Sequence, residues 1–155
     1  MKIKSVVAVP ISPPPRQFYG RPNRTGLGEV LRVDYGLVNI DTDDGHSGVG
    51  EICTVFRPGG RSLCEQIDRY LAPVLLGEDP HRISYLISAM DEALSGAEPA
   101  KAAIDMALFD IVGKVLQTPV YNLLGGMVRE RVPLSHSITY GSSAEMANFA
   151  VQLAH

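Results

Sequence analysis

Few residue groups in this chain have the types and spacing to do chemistry. Gly48-Val49-Gly50-Glu51 sets two glycines beside an acid, as a phosphate-binding loop would. A full G-x-G-x-x-G loop needs a third glycine where Cys53 stands, and a helix opening there to aim free N–H groups at the anion. Neither is present. The spacing predicts a tight hairpin with close backbone packing, and makes Glu51 a structural anchor at a strand end rather than a base. Asp105 and Asp110 lie on one helical stretch but do not share a face, so they make a poor metal pair. Lys101 and Lys114 stand four residues from them, which predicts ion pairs Lys101–Asp105 and Asp110–Lys114. The histidines, His46, His81, His136 and His155, lack ligand spacing. Cys53 and Cys64 lack it too, and are expected as free thiols in a reducing cytoplasm.

The elements that would position these groups can be read from periodicity. Residues 2–9 predict a short strand. Residues 10–28, PISPPPRQFYGRPNRTGLG, carry no period and predict a long loop. In residues 30–41 Leu31, Val33, Tyr35 and Leu37 alternate with Arg32 and Asp34, the pattern of a half-buried strand. Asp43-Asp44-Gly45 predicts a hairpin turn, and residues 47–54 return as its partner. The chain thus opens as a three-stranded antiparallel meander.

Helices follow. Ser62 and Glu65 match a capping box ahead of Leu63, Ile67, Tyr70, Leu71, Val74 and Leu75, with Gly77 as the stop. A second helix begins near Pro80 and sets Ile83, Leu86, Ile87, Met90 and Leu94 on one side. A third runs from about Pro99 to Leu116. Its stripe of Ile104, Leu108, Ile111 and Val115 is widened by Ala102, Ala103 and Ala107, small enough for close approach. Val132–Thr139 predicts a strand. A second capping box, Ser142 with Glu145, opens an amphipathic helix through Met146, Phe149, Ala150 and Leu153.

Composition excludes several classes of function. The 155 residues are enough for one domain with its own core. The net charge of -3 and the scattered arginines give no basic face, so no nucleic-acid partner is expected. No apolar run approaches the roughly 20 residues of a membrane helix, and the opening MKIKSVVAVPI meets Pro10 too soon for a signal peptide. No membrane partner is expected, and the cytoplasm is the expected location.

Over nearly the whole chain, and in the right order, a set of segments resembles the enolase superfamily, in the branch of mandelate racemase and muconate-lactonising enzymes. They are Gly48-Val49-Gly50-Glu51 closing a hairpin, AAIDMALFDIVGK from residue 102, TPVYNLLGG from residue 118, and RERVPLSHSI from residue 129. The helix leading to the double glycine is the specific part; G-x-G-E alone is weak.

The resemblance implies an α+β fold. Residues 1–125 would form an enolase-like capping domain, a three-stranded meander followed by helices. Residues 126–155 would begin a (β/α) barrel, cut off after its first β/α unit. Such enzymes remove the proton next to a substrate carboxylate and stabilise the enediolate with magnesium. Their acid/base residues, often a Lys-x-Lys pair, and three metal-binding carboxylates lie in the barrel. Lys2-Ile3-Lys4, in the first cap strand, is the wrong place for that pair. No catalytic residue is therefore expected within the chain, and no magnesium held by its own residues.

In the intact parent the resemblance implies magnesium, a small carboxylate substrate and a homo-oligomer. It makes the loop at residues 13–28, and the one near residues 54–60, a cover over the barrel mouth. Phe18 and Tyr19 are its natural wall residues, and Arg57, with Arg16, Arg21 and Arg24, would steer an anion. Catalytic groups of such barrels gather at strand C-terminal ends, which makes Ser137 and Thr139 substrate-side candidates ahead of His136. The expected reaction is that of a racemase, epimerase or cycloisomerase. A hydroxy-acid or sugar-acid dehydratase is the alternative within the superfamily, and a non-catalytic binding module made of the cap alone is the alternative outside it.

Overall fold

The computed structural model describes residues 1–14, 34–54, 59–135, 138 and 141–153, and the backbone of residues 24–25 and 28–29. The chain forms two compact units, Met1–Ser12 with Asp34–Met127, and Pro13–Val33 with Val128–His155.

The first unit is built on an antiparallel sheet of β1 (Ile3–Ile11), β4 (Tyr35–Thr42) and β5 (Ser47–Ile52), in that order. Ile11 pairs with Tyr35, Gly36 with Ile52, and Asp41 with Ser47, so the three strands form the expected meander. The turn between β4 and β5 contains Asp43, Asp44 and Gly45, and Gly45 has φ 90°, a conformation open to glycine. The buried side of β4 is Gly36, Val38, Ile40 and Thr42, while Leu37 lies on the exposed side. This reverses the phase expected from the alternation that includes Tyr35 and Leu37. Apolar residues occur at both parities of YGLVNI, and what lies across the sheet decides between them.

What lies across is a helix. A helix opens with α1 (Gly60–Gln66), widens to a π turn at Ile67–Leu71 and closes with α2 (Ala72–Leu75). Pro73 explains the widening. It has no N–H, and its ring would meet the carbonyl of Arg69 in a regular helix. The preceding turn relaxes instead, and the Ala72 N–H reaches back to the Ile67 carbonyl. Gly77, at φ 80°, ends the segment as expected, and its N–H donates to the Ile3 carbonyl. The first capping box does not form. The helix starts at Gly60, which places Ser62 inside the first turn, where its hydroxyl donates to the Gly59 carbonyl at 2.9 Å.

Helix α3 (Ile83–Ala93) starts three residues after Pro80 and buries Leu86 and Met90. Helix α4 (Glu98–Val115) lies against β5 and β4. Ala103, Ile104, Ala107, Leu108 and Ile111 are fully buried there, whereas Ala102 is exposed and adds nothing to the stripe. The close approach has a definite cause. A Cβ on Gly48 would run into the Ala107 carbonyl, and one on Gly50 into the Ala103 carbonyl. Two glycines on the sheet facing two alanines on the helix let backbone meet backbone. Val38, Ile40, Ile52, Ile67, Leu71 and Leu75 complete the core. The short α5 (Val120–Leu123) follows a turn in which Gln117 takes φ 50° and the Thr118 N–H caps the Gly113 carbonyl.

The second unit contains a two-rung hairpin, β2 (Arg24–Thr25) with β3 (Gly28–Glu29), in the stretch expected as plain loop. It also contains α6 (Ser143–Leu153), with Phe149 buried. The second capping box forms: the Ser142 N–H donates to Glu145 Oε2 at 2.8 Å, and the Glu145 N–H returns to Ser142 Oγ at 3.4 Å. Residues 132–135 and 138, expected in a strand, are in none. A barrel strand exists only through ladder partners, and among the described residues these have none. No described helix is long and apolar enough to cross a membrane.

Candidate functional site

The two segments expected to cover a substrate leave the sheet at one end. Ile11 and Tyr35 are the last rung between β1 and β4. Ser12 and Asp34 are the stems of the longer segment. The Ser12 hydroxyl donates to Asp34 Oδ1 at 2.6 Å. Thr54, just past β5, donates its hydroxyl to the Asp34 carbonyl at 2.8 Å. Gly60, where the shorter segment returns, lies so close to the Tyr35 backbone that a Cβ would meet its carbonyl. Asp34 thus ties the roots of both segments, its carboxylate to one and its carbonyl to the other. In the sequence it registered only as the polar side of a strand; the signal available was an acid at the junction of loop and strand.

The candidates themselves, Phe18, Tyr19, Arg57, Ser137 and Thr139, lie outside the described residues, as do His136 and His155. Arg16 and Arg21 do as well, and of Arg24 only the backbone is described. Among the described residues no group of three or more His, Cys, Asp or Glu is placed to hold a metal ion.

Several other titratable groups among the described residues have partners in the fold. Asp110 takes the expected partner: Lys114 Nζ donates to its Oδ2 at 2.7 Å. Lys101 does not. Its ammonium crosses to Asp91 of α3 at 2.7 Å. An acid four residues ahead of a lysine is the favoured order on a helix, which Asp110–Lys114 has and Lys101–Asp105 lacks. Asp105 is left half-buried, and burial raises its pKa. Glu51 is exposed, across from Leu37 on the face away from the helices. His46 and His81 sit in turns beside Asp44 and Asp79, at 3.2 and 2.9 Å. Cys53 is exposed and Cys64 buried; both are free thiols, and burial raises the Cys64 pKa. An open groove of about 390 Å³ lies where α4 turns into α5, between Lys114 and Pro119. Its charged walls, Asp110 and Lys114, already satisfy one another.

The family described as mandelate racemase / muconate lactonizing enzyme, N-terminal domain, matches residues 7–125. The chain belongs to this family. It is 36% identical over 120 residues to an N-succinyl-L-Arg/Lys racemase from Bacillus cereus, covering 76% of this chain and 32% of the relative. The crystal structure of a 2-chloromuconate cycloisomerase from Rhodococcus opacus superposes with TM-score 0.88 at 33% identity, covering 98% of this chain and 42% of that one. A mandelate racemase/muconate lactonizing-type protein from Roseovarius nubinhibens, solved with magnesium, superposes at TM-score 0.82 and 30% identity, covering 99% and 42%. Dehydratases are among the relatives too. The chain spans about two-fifths of the length of the solved relatives it matches, 42% in both structures named.

Proposed function

We propose that this chain serves as the capping portion of a magnesium-dependent isomerase that removes the proton alpha to a substrate carboxylate. Residues 1–125 form the cap, and residues 126–155 begin the barrel. The observation that carries this reading is the match of the family's N-terminal domain across residues 7–125. The racemase and cycloisomerase relatives support a small carboxylate as the substrate.

When bound in the intact enzyme, magnesium would supply the positive charge that removal of such a proton calls for. The described residues do not fit it, since none of them group to hold a metal. The task of this chain is to exclude water and shape the cavity. Phe18 and Tyr19 wall the substrate, Arg57 steers its carboxylate inward, and Ser137 and Thr139 face it from the barrel side. A dry site makes each fixed charge worth more than it is in water. Ser12, Asp34 and Thr54 hold the roots of the covering segments at fixed positions. Dehydration of a hydroxy acid is the second reading, supported by the dehydratases among the relatives; the same enediolate would expel a β-hydroxyl.

The test is Tyr19→Ala in the intact enzyme, assayed against muconates, N-succinyl amino acids and hydroxy acids. The expected result is a changed ratio of kcat/KM between substrates, with stability within about 0.5 kcal/mol of the parent. A kcat/KM unchanged from the parent for every accepted substrate would remove Tyr19 from the site.

A further inference from the structure

We propose that Asp110 and Lys114 of α4 are an edge guard that ends the sheet at three strands. Among the described residues β5 is an edge strand, with β4 on one side only. In a strand the N–H and C=O of alternate residues face the same edge. Ser47 and Val49 turn theirs away from β4, toward where a further strand would add. The Val49 N–H donates to Asp110 Oδ2 at 3.0 Å, and Lys114 Nζ donates to the Ser47 carbonyl at 2.8 Å. The two side chains also bond to each other at 2.7 Å, so each holds the other at the edge. A carboxylate takes the exposed donor and an ammonium takes the exposed acceptor, which are the two groups an incoming strand would pair with.

The need for a guard follows from the face beside that edge. Val7, Val9, Leu37 and Val49 are each 41–50% exposed on the side of the sheet away from the helices. An open edge next to an apolar face is the usual template for pairing between chains. The opposite edge is blunted as well. At Ile3 of β1 the N–H donates to the Glu78 carbonyl, and the carbonyl accepts from the Gly77 N–H. Gly48 and Gly50 make the guard possible, because their lack of side chains lets α4 lie close enough for Asp110 and Lys114 to reach the strand. The same helix therefore covers the core and closes the edge.

Amide hydrogen exchange by NMR on the full chain tests this, with sedimentation run in parallel. In Asp110→Ala the Val49 amide is expected to exchange about tenfold faster, the effect of losing one hydrogen bond. The Val38 and Ile40 amides on the central strand keep their rates. The double variant Asp110→Ala/Lys114→Met is expected to self-associate more steeply with concentration than the unsubstituted chain. Should Asp110→Ala not fold, Lys114→Met alone frees the Ser47 carbonyl and leaves the Val49 bond in place; it is expected to associate more than the parent. Unchanged Val49 exchange in folded Asp110→Ala overturns the proposal. So does faster exchange with no gain in association in the double variant, or a Lys114→Met that associates like the parent.

Discussion

Asp44 shows how the neighbours in a turn tune a single carboxylate. Its pKa is lowered from 3.8 to about 2, first by the Thr42 hydroxyl and then by His46. Thr42 Oγ1 donates to Asp44 Oδ1 at 2.6 Å and also accepts the His46 N–H at 3.0 Å, so the turn closes on one hydroxyl. A carboxyl with a lowered folded pKa stabilises the fold above its ordinary pKa, and that contribution is lost as pH falls through the folded value. The window for Asp44 is therefore about pH 4 down to about pH 2. Asp79 is lowered too, first by the His81 backbone N–H, and acts in the same direction. The urea midpoint of Asp44→Asn is expected to fall less between pH 5 and pH 2 than that of the parent, on the order of the single-group effect. Parallel curves would show that the turn is indifferent to its charge. At this scale the sequence was partly legible. The Asp110–Lys114 pair and the second capping box are local, and spacing reveals local pairs. Lys101 turning to Asp91, and Asp34 tying two loop roots, depend on residues distant in the chain.

Among the elements, α4 on β5 is the decisive contact. The stripe of Ile104, Leu108 and Ile111 identifies α4 from periodicity alone, and Gly77 marks the end of the helix before α3. The phase of β4 was not legible. Its apolar residues fall on both faces, and only the Gly48 and Gly50 surface, matched to Ala103 and Ala107, selects the even positions. The first capping box misled because S-x-x-E recurs inside helices, and Gly59-Gly60 had already started this one. The contact makes a sharp prediction. Gly50→Ala drives a methyl into the Ala103 carbonyl, a backbone group that cannot rotate away. It is expected to destabilise the fold by about 2 kcal/mol or more in urea melts, at the upper end for overpacking. Leu37→Ser, on the exposed face of the same sheet, should stay within about 0.5 kcal/mol. Equal effects from both would mean that α4 is not held against β5.

For the whole molecule, the first unit has a continuous core, and the family match spans residues 7–125. Membership was legible because packing and turn signals are local in sequence, whereas a substrate contact depends on residues brought together from distant parts of the chain. The motifs AAIDMALFDIVGK and TPVYNLLGG are packing and turn signals of the cap, and they identify the family through its core. The central proposal is a cap that shapes an active site and does no proton chemistry itself. The most direct measurement takes the purified 155-residue chain with magnesium in deuterated water, against muconates, N-succinyl amino acids and hydroxy acids. Product formation and deuterium alpha to the carboxylate are followed by NMR. The account predicts neither. Turnover that persists through repurification, and is absent from matched blanks, would contradict it and place the catalytic groups within these residues.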